Sequence, residues 1–339
     1  MKKNIHIEKM SVKGVQNLID RAYREGSEMQ FVRELYKNSI EAGATQIEFG
    51  PEWQGVEKQG VYRFMVADNG KGMNASEMET FLNTFGSGGK PVGGAHENYG
   101  IGAKTSTLPW NYKGVVVLSW TENDPVGSML WLCKNPSTGE YGAKIIQTDD
   151  GEYNTVVSPY NDKEFGINWG KIKPSWLQIS GTIVICLGNT GKENTFIEKG
   201  RGESFSLQGI SAYLNKRIWE IPENVEIFVQ ELRSKKKEKM PKSIEEASRS
   251  SLFNKGKKDN RWNRRRVKGA KQHLIFPGHK KGEMGATGKI TAKDGTELKW
   301  YLWKGERPNI HSNAHEKGYI AALYDNELYD VKTHHSSFS

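Results

Sequence analysis

The feature that most constrains this chain is an apolar run that ends in an acid and two glycines. Val61-Tyr62-Arg63-Phe64-Met65-Val66-Ala67 leads into Asp68-Asn69-Gly70-Lys71-Gly72-Met73. The run is rich in β-branched and aromatic residues and predicts a strand. Such a strand delivers Asp68 to its end. The glycines that follow permit left-handed backbone or the close approach of a ligand. Asp/Asn-Gly is also an ordinary hairpin signal. A hairpin needs a returning strand, however, and Ala75–Phe85 reads as a helix.

Two further motifs flank this turn. Residues 11–26 place Val12, Val15, Leu18 and Ile19 at helical spacing, with Ser11 at the N-cap position. Ser27–Ala42 predicts a second helix, stopped by Gly43. Its Phe31, Leu35 and Ile40 are candidate core residues, and Glu34 and Asn38, at i and i+4, share a face. Alone, that pair reads equally as a solvated helix surface. Gln46–Phe49 predicts a strand. After Phe85 comes GSGGKPVGGAHEN, a glycine-rich stretch that reads as a mobile lid or a surface loop. Gly100-Ile101-Gly102-Ala103-Lys104-Thr105-Ser106 then enters a helix. Glycines at a helix start expose N–H groups and the positive dipole end, which suits phosphate. No strand precedes them and no GxxxxGK[ST] is present, so neither a dinucleotide fingerprint nor a P-loop fits.

In this order and spacing the three motifs resemble the ATP site of the GHKL superfamily, which includes gyrase B, heat-shock-type chaperones, histidine kinases, MutL and the MORC ATPases. The resemblance implies an α+β fold: a Bergerat-type ATP-binding α/β sandwich followed by a smaller, truncated transducer-like domain. It also implies ATP and Mg²⁺ as cofactors. Asp68 accepts a hydrogen bond from the adenine amino group, and Gly72 lets the backbone lie against the base. Asn38 offers an amide oxygen to Mg²⁺. Glu34 polarises the attacking water as general base. Gly100, Gly102 and Ala103 supply N–H groups to the phosphates, while Lys104 either adds a charged contact or points outward. Gly70, Met73, Ile101 and Thr105 complete the turns around the nucleotide. Ser180–Leu187 predicts a buried strand opening Gly181-Thr182. The resemblance has Thr182 join Asp68 at the adenine; a β-branched strand residue is the plain alternative. An acidic residue, commonly Asp, is frequent in the family at the position of Glu41, so a Glu there is a mild departure.

The rest of the chain divides by composition. Val115–Trp120, Ser128–Lys134 and Gly142–Gln147 predict strands, 148–178 is loop-rich, Phe205–Glu220 predicts a helix and Val225–Val229 a strand. Between Arg233 and Lys271, 16 Lys or Arg stand against four acids. This segment therefore carries +12 of a formal net charge of +9, and the remainder carries −3. Few apolar residues interrupt it, so it reads as a long loop or insertion. Gly288–Ala292, Leu298–Lys304 and Tyr319–Tyr324 predict strands of the second domain, and the final KTHHSSFS carries no structural signal. The expected division is 1–222 for the ATP domain, 223–232 for a connecting strand, 233–271 for the basic insertion and 272–339 for the partial second domain.

No run of about 18 apolar residues exists, and MKKNIHIEKM lacks the apolar stretch of a signal peptide. Cys133 and Cys186 sit in apolar runs and read as core thiols in a reducing compartment. A cytoplasmic protein, DNA- or nucleoid-associated, is expected. A histidine kinase is disfavoured, because only about 25 residues precede the Glu34 helix. The helix and its Ser-Ile-Glu-Ala-Gly-Ala-Thr continuation resemble MutL, MORC and heat-shock chaperones more closely. That implies an ATP-dependent homodimer whose lid closes on ATP, with Met1–Ser11 as an arm able to swap across it. The basic segment, with Lys235, Lys236, Lys237, Arg261, Arg264, Arg265 and Arg266 as candidate contacts and Trp262 among them, can neutralise phosphates and stack on bases. This favours a clamp on non-specific nucleic acid, in repair, phage defence or chromosome handling. The alternative is a chaperone-like or scaffold protein that switches a protein partner, with the basic segment merely solvated.

Overall fold

The computed structural model describes residues 14–83, 102–198, 209–230, 240–249, 264–275, 284–303 and 319–332. Helices α1 (Val15–Glu25) and α2 (Gln30–Glu41) lead into strand β1 (Gln46–Pro51), helix α3 (Trp53–Gln59), strand β2 (Phe64–Asp68) and helices α4 (Ala75–Asn83) and α5 (Gly102–Thr107). Strands β3 (Val115–Thr121) and β4 (Asp124–Lys134) form a long antiparallel pair. Short strands follow: β5 (Tyr141–Ala143), β6 (Ile146–Gln147), β7 (Tyr153–Asn154), β8 (Val156–Val157), β9 (Asn161–Asp162) and β10 (Ile167–Asn168). Next come β11 (Gly181–Cys186), α6 (Thr195–Glu198), α7 (Ile210–Arg217), β12 (Glu226–Gln230), α8 (Ile244–Arg249), β13 (Arg264–Arg266) and α9 (Ala270–Ile275). Two hairpins close the chain, β14 (Met284–Thr291) with β15 (Glu297–Trp303) and β16 (Ile320–Tyr324) with β17 (Glu327–Lys332).

The main sheet runs β13-β12-β1-β2-β11-β3-β4-β5, with β8 also on β4. Among the described residues, only its β1–β12 contact is parallel. Alternate residues of a strand face opposite sides of a sheet. Phe64, Val66, Val115 and Val117 join one core with Ile19, Phe31, Leu35 and Leu214 of the helices. Met65, Ala67, Val116, Leu118, Ile183 and Ile185 join a second core under Phe165, Trp169 and Leu177. Both faces are covered, which is why β2, β3 and β11 read as unbroken apolar runs and not as alternation. The second core centres on Trp131, whose ring lies 5.5 Å from Phe165 and 6.2 Å from Trp169 in edge-on contacts. This is the expected α+β sandwich.

Several expectations need correction. Residues 233–271 are not a continuous loop. Arg264–Arg266 adds an edge strand to β12, α8 and α9 lie inside or at the end of the segment, and Met240, Ala247 and Val267 are buried. Of the residues at helical spacing on α1, Ile19 is buried and Leu18 is 45% exposed. The strand predicted from Val61 begins at Phe64, and Gly142–Gln147 splits into two short strands around Lys144, whose ammonium lies 4.0 Å from the Trp131 ring centre. Ser11 and the proposed lid lie outside the described residues. Among the described residues, no helix is long and apolar enough to cross a membrane.

Candidate nucleotide site

Strand β2 organises the site. Its register with β11 sets Thr182 opposite Asp68 at the strand end. Asp68 is buried, and each carboxylate oxygen has a donor: Oδ2 accepts from Ser39 Oγ at 2.9 Å and Oδ1 from the Gly70 N–H at 2.9 Å. Burial pushes its carboxyl pKa up; hydrogen bonds from Gly70, Ser39 and the Thr182 backbone oppose this without cancelling it.

Ser119 on β3 was not anticipated. Its hydroxyl accepts from the Met73 N–H at 2.7 Å and lies 3.2 Å from Thr182 Oγ1. It therefore joins the turn after β2 to the threonine of β11. The signal in the sequence was a serine inside Val-Val-Val-Leu-Ser-Trp, a polar group that must find a partner once that strand is buried. Ser39, next to Asn38, is the same kind of signal on α2.

The turn after Asp68 is held from two sides. Gly72 has φ +69°, and a Cβ there would lie 1.9 Å from the Trp120 carbonyl oxygen, so only glycine fits. Asn69 Oδ1 accepts from the Thr45 and Gln46 N–H groups at 2.8 and 2.7 Å, and the Lys71 N–H donates to the Ala42 carbonyl at 2.9 Å. The Ala-Gly-Ala-Thr segment after α2 and the Asp-Asn-Gly-Lys-Gly turn thus form one joint.

Helix α2 is the shared rail. One turn before Ser39, Glu34 is buried, and its Oε1 accepts from Gln30 Nε2 and Arg33 Nη1, both at 2.5 Å. Its Oε2 faces α5: a Cβ on Gly102 would lie 2.0 Å from it. The first and third sequence motifs are therefore in contact, and Gly102 is required for that contact. Asn38 is exposed, and its side chain makes no hydrogen bond among the described residues. Its amide oxygen is a donor type that suits Mg²⁺.

Lys104 points inward. Its Nζ donates to the Phe81 carbonyl of α4 at 2.7 Å, and burial lowers its pKa to about 8. Its charge is thus lost as pH rises through about 8, well below the ordinary lysine range. Ala103 is partly buried, and the Thr105 hydroxyl donates to the Gly102 carbonyl at 3.2 Å within its own helix. The structure therefore gathers Asp68, Gly70, Gly72, Met73 and Thr182 at the end of β2, and Glu34 and Gly102 between α2 and α5. Gly100 and Ile101 lie outside the described residues.

Residues 27–159 match the family model described as "Histidine kinase-, DNA gyrase B-, and HSP90-like ATPase". This stretch is therefore similar to the ATPase domains of the GHKL superfamily. No curated protein matches the chain at a significant level. The matched stretch holds α2, β2, α5 and β3, and with them Glu34, Asn38, Asp68, Gly102 and Ser119; Thr182 follows it on β11.

The proposed nucleic-acid contacts fare unevenly. Lys235, Lys236, Lys237 and Arg261 lie outside the described residues. Arg264 is engaged in the fold: its Nη2 donates to Glu48 Oε2 at 2.6 Å and its guanidinium lies 4.2 Å from the Phe228 ring centre. Arg266 pairs with Glu226 at 3.2 Å, both half-exposed, and such a pair contributes little. Arg265, between them on the edge strand, also has an interaction partner.

Proposed function

We propose that this GHKL domain binds and hydrolyses Mg-ATP, with Asp68 holding the adenine, Asn38 serving the metal and Glu34 as general base. The observation that carries this is the buried, doubly bonded Asp68 at a strand end. A carboxylate is costly to bury unless donors fix it, and here they fix it facing the glycine turn. Mg²⁺, when bound, neutralises phosphate charge. The chain's own groups orient the base through Asp68 and Thr182, exclude water with the Ser119 network, and take a proton at Glu34.

The resemblance to MutL- and MORC-like proteins and the +12 of residues 233–271 favour a homodimer that closes on ATP and clamps non-specific nucleic acid in the cytoplasm, with 272–339 as the transducer-like part. One observation favours the protein-partner alternative: Arg264 and Arg266 are already paired to Glu48 and Glu226.

Two measurements test these readings. In calorimetric titration Asp68→Asn should weaken ATP binding by roughly 1.5–3 kcal/mol, the worth of a hydrogen bond to a charged group. The wild-type affinity should also fall as pH drops through the raised Asp68 pKa, above the ordinary carboxylate value of about 4, because the ionised acceptor is lost there. Equal affinity in Asp68→Asn would remove the adenine role. For the clamp, neutralising Lys235, Lys236, Lys237 and Arg261 together spares the sheet-edge arginines. Retention on duplex DNA at low salt should then fall with ATP turnover intact; unchanged retention would move the reading to a protein partner.

A further inference from the structure

The β16–β17 hairpin lies on α2 and α7. Its turn residues Asp325 and Asn326 have φ +48° and +61°, the left-handed pair that a two-residue hairpin turn requires. The turn is anchored at the end of α7: the Asn326 carbonyl accepts from the Trp219 N–H at 2.8 Å, and Asn326 Nδ2 donates to the Glu220 carbonyl at 2.6 Å. From there the hairpin presents two acids to the helix that carries Glu34. Lys37 Nζ donates to Asp325 Oδ2 at 2.8 Å. Glu327, only 3% exposed, accepts at Oε2 from Arg33 Nε at 2.6 Å and from Arg217 Nε at 2.8 Å.

Arg33 is thus divided between two carboxylates. Nε goes to Glu327, Nη2 to the Tyr329 hydroxyl at 3.3 Å, and Nη1 to Glu34 Oε1 at 2.5 Å. Burial works against its charge, but Glu327 and Glu34 outweigh that and hold it above the ordinary guanidinium range. A guanidinium fork binds a carboxylate best with two parallel donors. Glu327 and Tyr329 occupy two of the donors that such a fork would need, so Glu34 receives one, and its Oε2 is left facing the start of α5.

We propose that Glu327 is a positioning residue for hydrolysis: by holding Arg33 from the hairpin side, it stops Arg33 from clamping both oxygens of Glu34. This rests on Glu34 acting as the base. A carboxylate tied at both oxygens by a cation is a weaker base and cannot reach a water. Docking of the C-terminal hairpin thereby sets the competence of a glutamate on α2. The coupling is reciprocal, as any coupling between two states of one arginine must be.

The test uses the full chain. Glu327→Gln should lower kcat by about tenfold with KM for ATP unchanged, a fraction of what a general base supplies. Glu327→Asp keeps the charge and should restore most of the rate. Asp325→Asn removes the Lys37 ion pair at the turn and leaves the Arg33 bonds to Glu327 and Glu34 in place, so it should leave kcat near wild type. The second readout is independent of turnover. In Glu34→Gln, Arg33 loses its charged partner on α2 and leans to the hairpin, so amide exchange across 320–332 should slow severalfold. Wild-type kcat in Glu327→Gln, or unchanged hairpin exchange in Glu34→Gln, overturns the proposal. If circular dichroism shows Glu327→Gln unfolded, the exchange result decides alone. If Glu34→Gln turns over ATP at the wild-type rate, the base assignment fails, and hairpin exchange still reports whether Arg33 is shared.

Discussion

Glu34→Gln should reduce ATP turnover by on the order of 10²–10⁴-fold while leaving nucleotide binding intact. Glu34 is buried on α2, Oε1 is fixed by Gln30 and Arg33, and Oε2 faces Gly102 at the head of α5. Glutamine preserves the shape and can still accept at one oxygen, so the helix and the Gly102 contact should survive. It cannot take a proton from water. The proposed adenine contact sits elsewhere, at the end of β2, so calorimetric affinity for ATP should stay near wild type. The same variant is the right species for light scattering with Mg-ATP. A shift from monomer to dimer would support ATP-gated pairing, and an unchanged mass would count against it. Wild-type turnover in Glu34→Gln would end the assignment of the base.

The sandwich and the placement of most candidate site residues were legible because their signals are local. An apolar run that ends in Asp-Asn-Gly-Lys-Gly needs no tertiary knowledge to place Asp68 at a strand end, and Glu34 and Asn38 share a face by helix periodicity alone. What was missed depends on partners distant in the chain. Helix α3 carries a glycine and charged residues with little periodicity. It forms because Glu52 accepts from the Gln54 and Gly55 N–H groups at its start and because Val56 is buried. Arg264–Arg266 looks like a solvated charge run and becomes a strand because Glu48, Glu226 and Phe228 wait beside it. Strand β17, Glu-Leu-Tyr-Asp-Val-Lys, shows no marked apolar content, and Glu327 gains its place only against Arg33 and Arg217. Charge patterning in one dimension cannot tell a surface acid from a buried one that meets two partly buried arginines.

The largest stability effect is expected from Arg63→Met, in the buried ion pair behind β2. Arg63 is 1% exposed and Glu52 is fully buried, with 3.7 Å between Arg63 Nη1 and Glu52 Oε2. Arg63 also donates from Nη2 to the Gly191 carbonyl and to Gln59 Oε1, each at 2.7 Å, and its guanidinium lies 5.3 Å from the Phe165 ring centre. Gly55 is glycine for the sake of this pair, since a Cβ there would lie 2.3 Å from Arg63 Nη1. Burial pushes the Glu52 carboxyl pKa up and the Arg63 pKa down; the Gly55 N–H and Arg63 oppose the first shift, and Glu52 and Glu193 oppose the second. Methionine fills much of the volume but strands the Glu52 carboxylate and the Gly191 carbonyl. The expected loss is about 3–5 kcal/mol, the cost of removing one partner from a buried pair. Thermal unfolding followed by circular dichroism would read it as a fall in Tm on the order of 10 °C. The double variant Glu52→Gln with Arg63→Met should recover part of that loss, because no charge is then left buried and the glutamine oxygen can still cap α3. A Tm for Arg63→Met close to wild type would show that Glu52 is held by its two N–H bonds alone. Asp68 lies at the far end of β2 from Arg63, so the surviving folded fraction should bind ATP with near wild-type affinity.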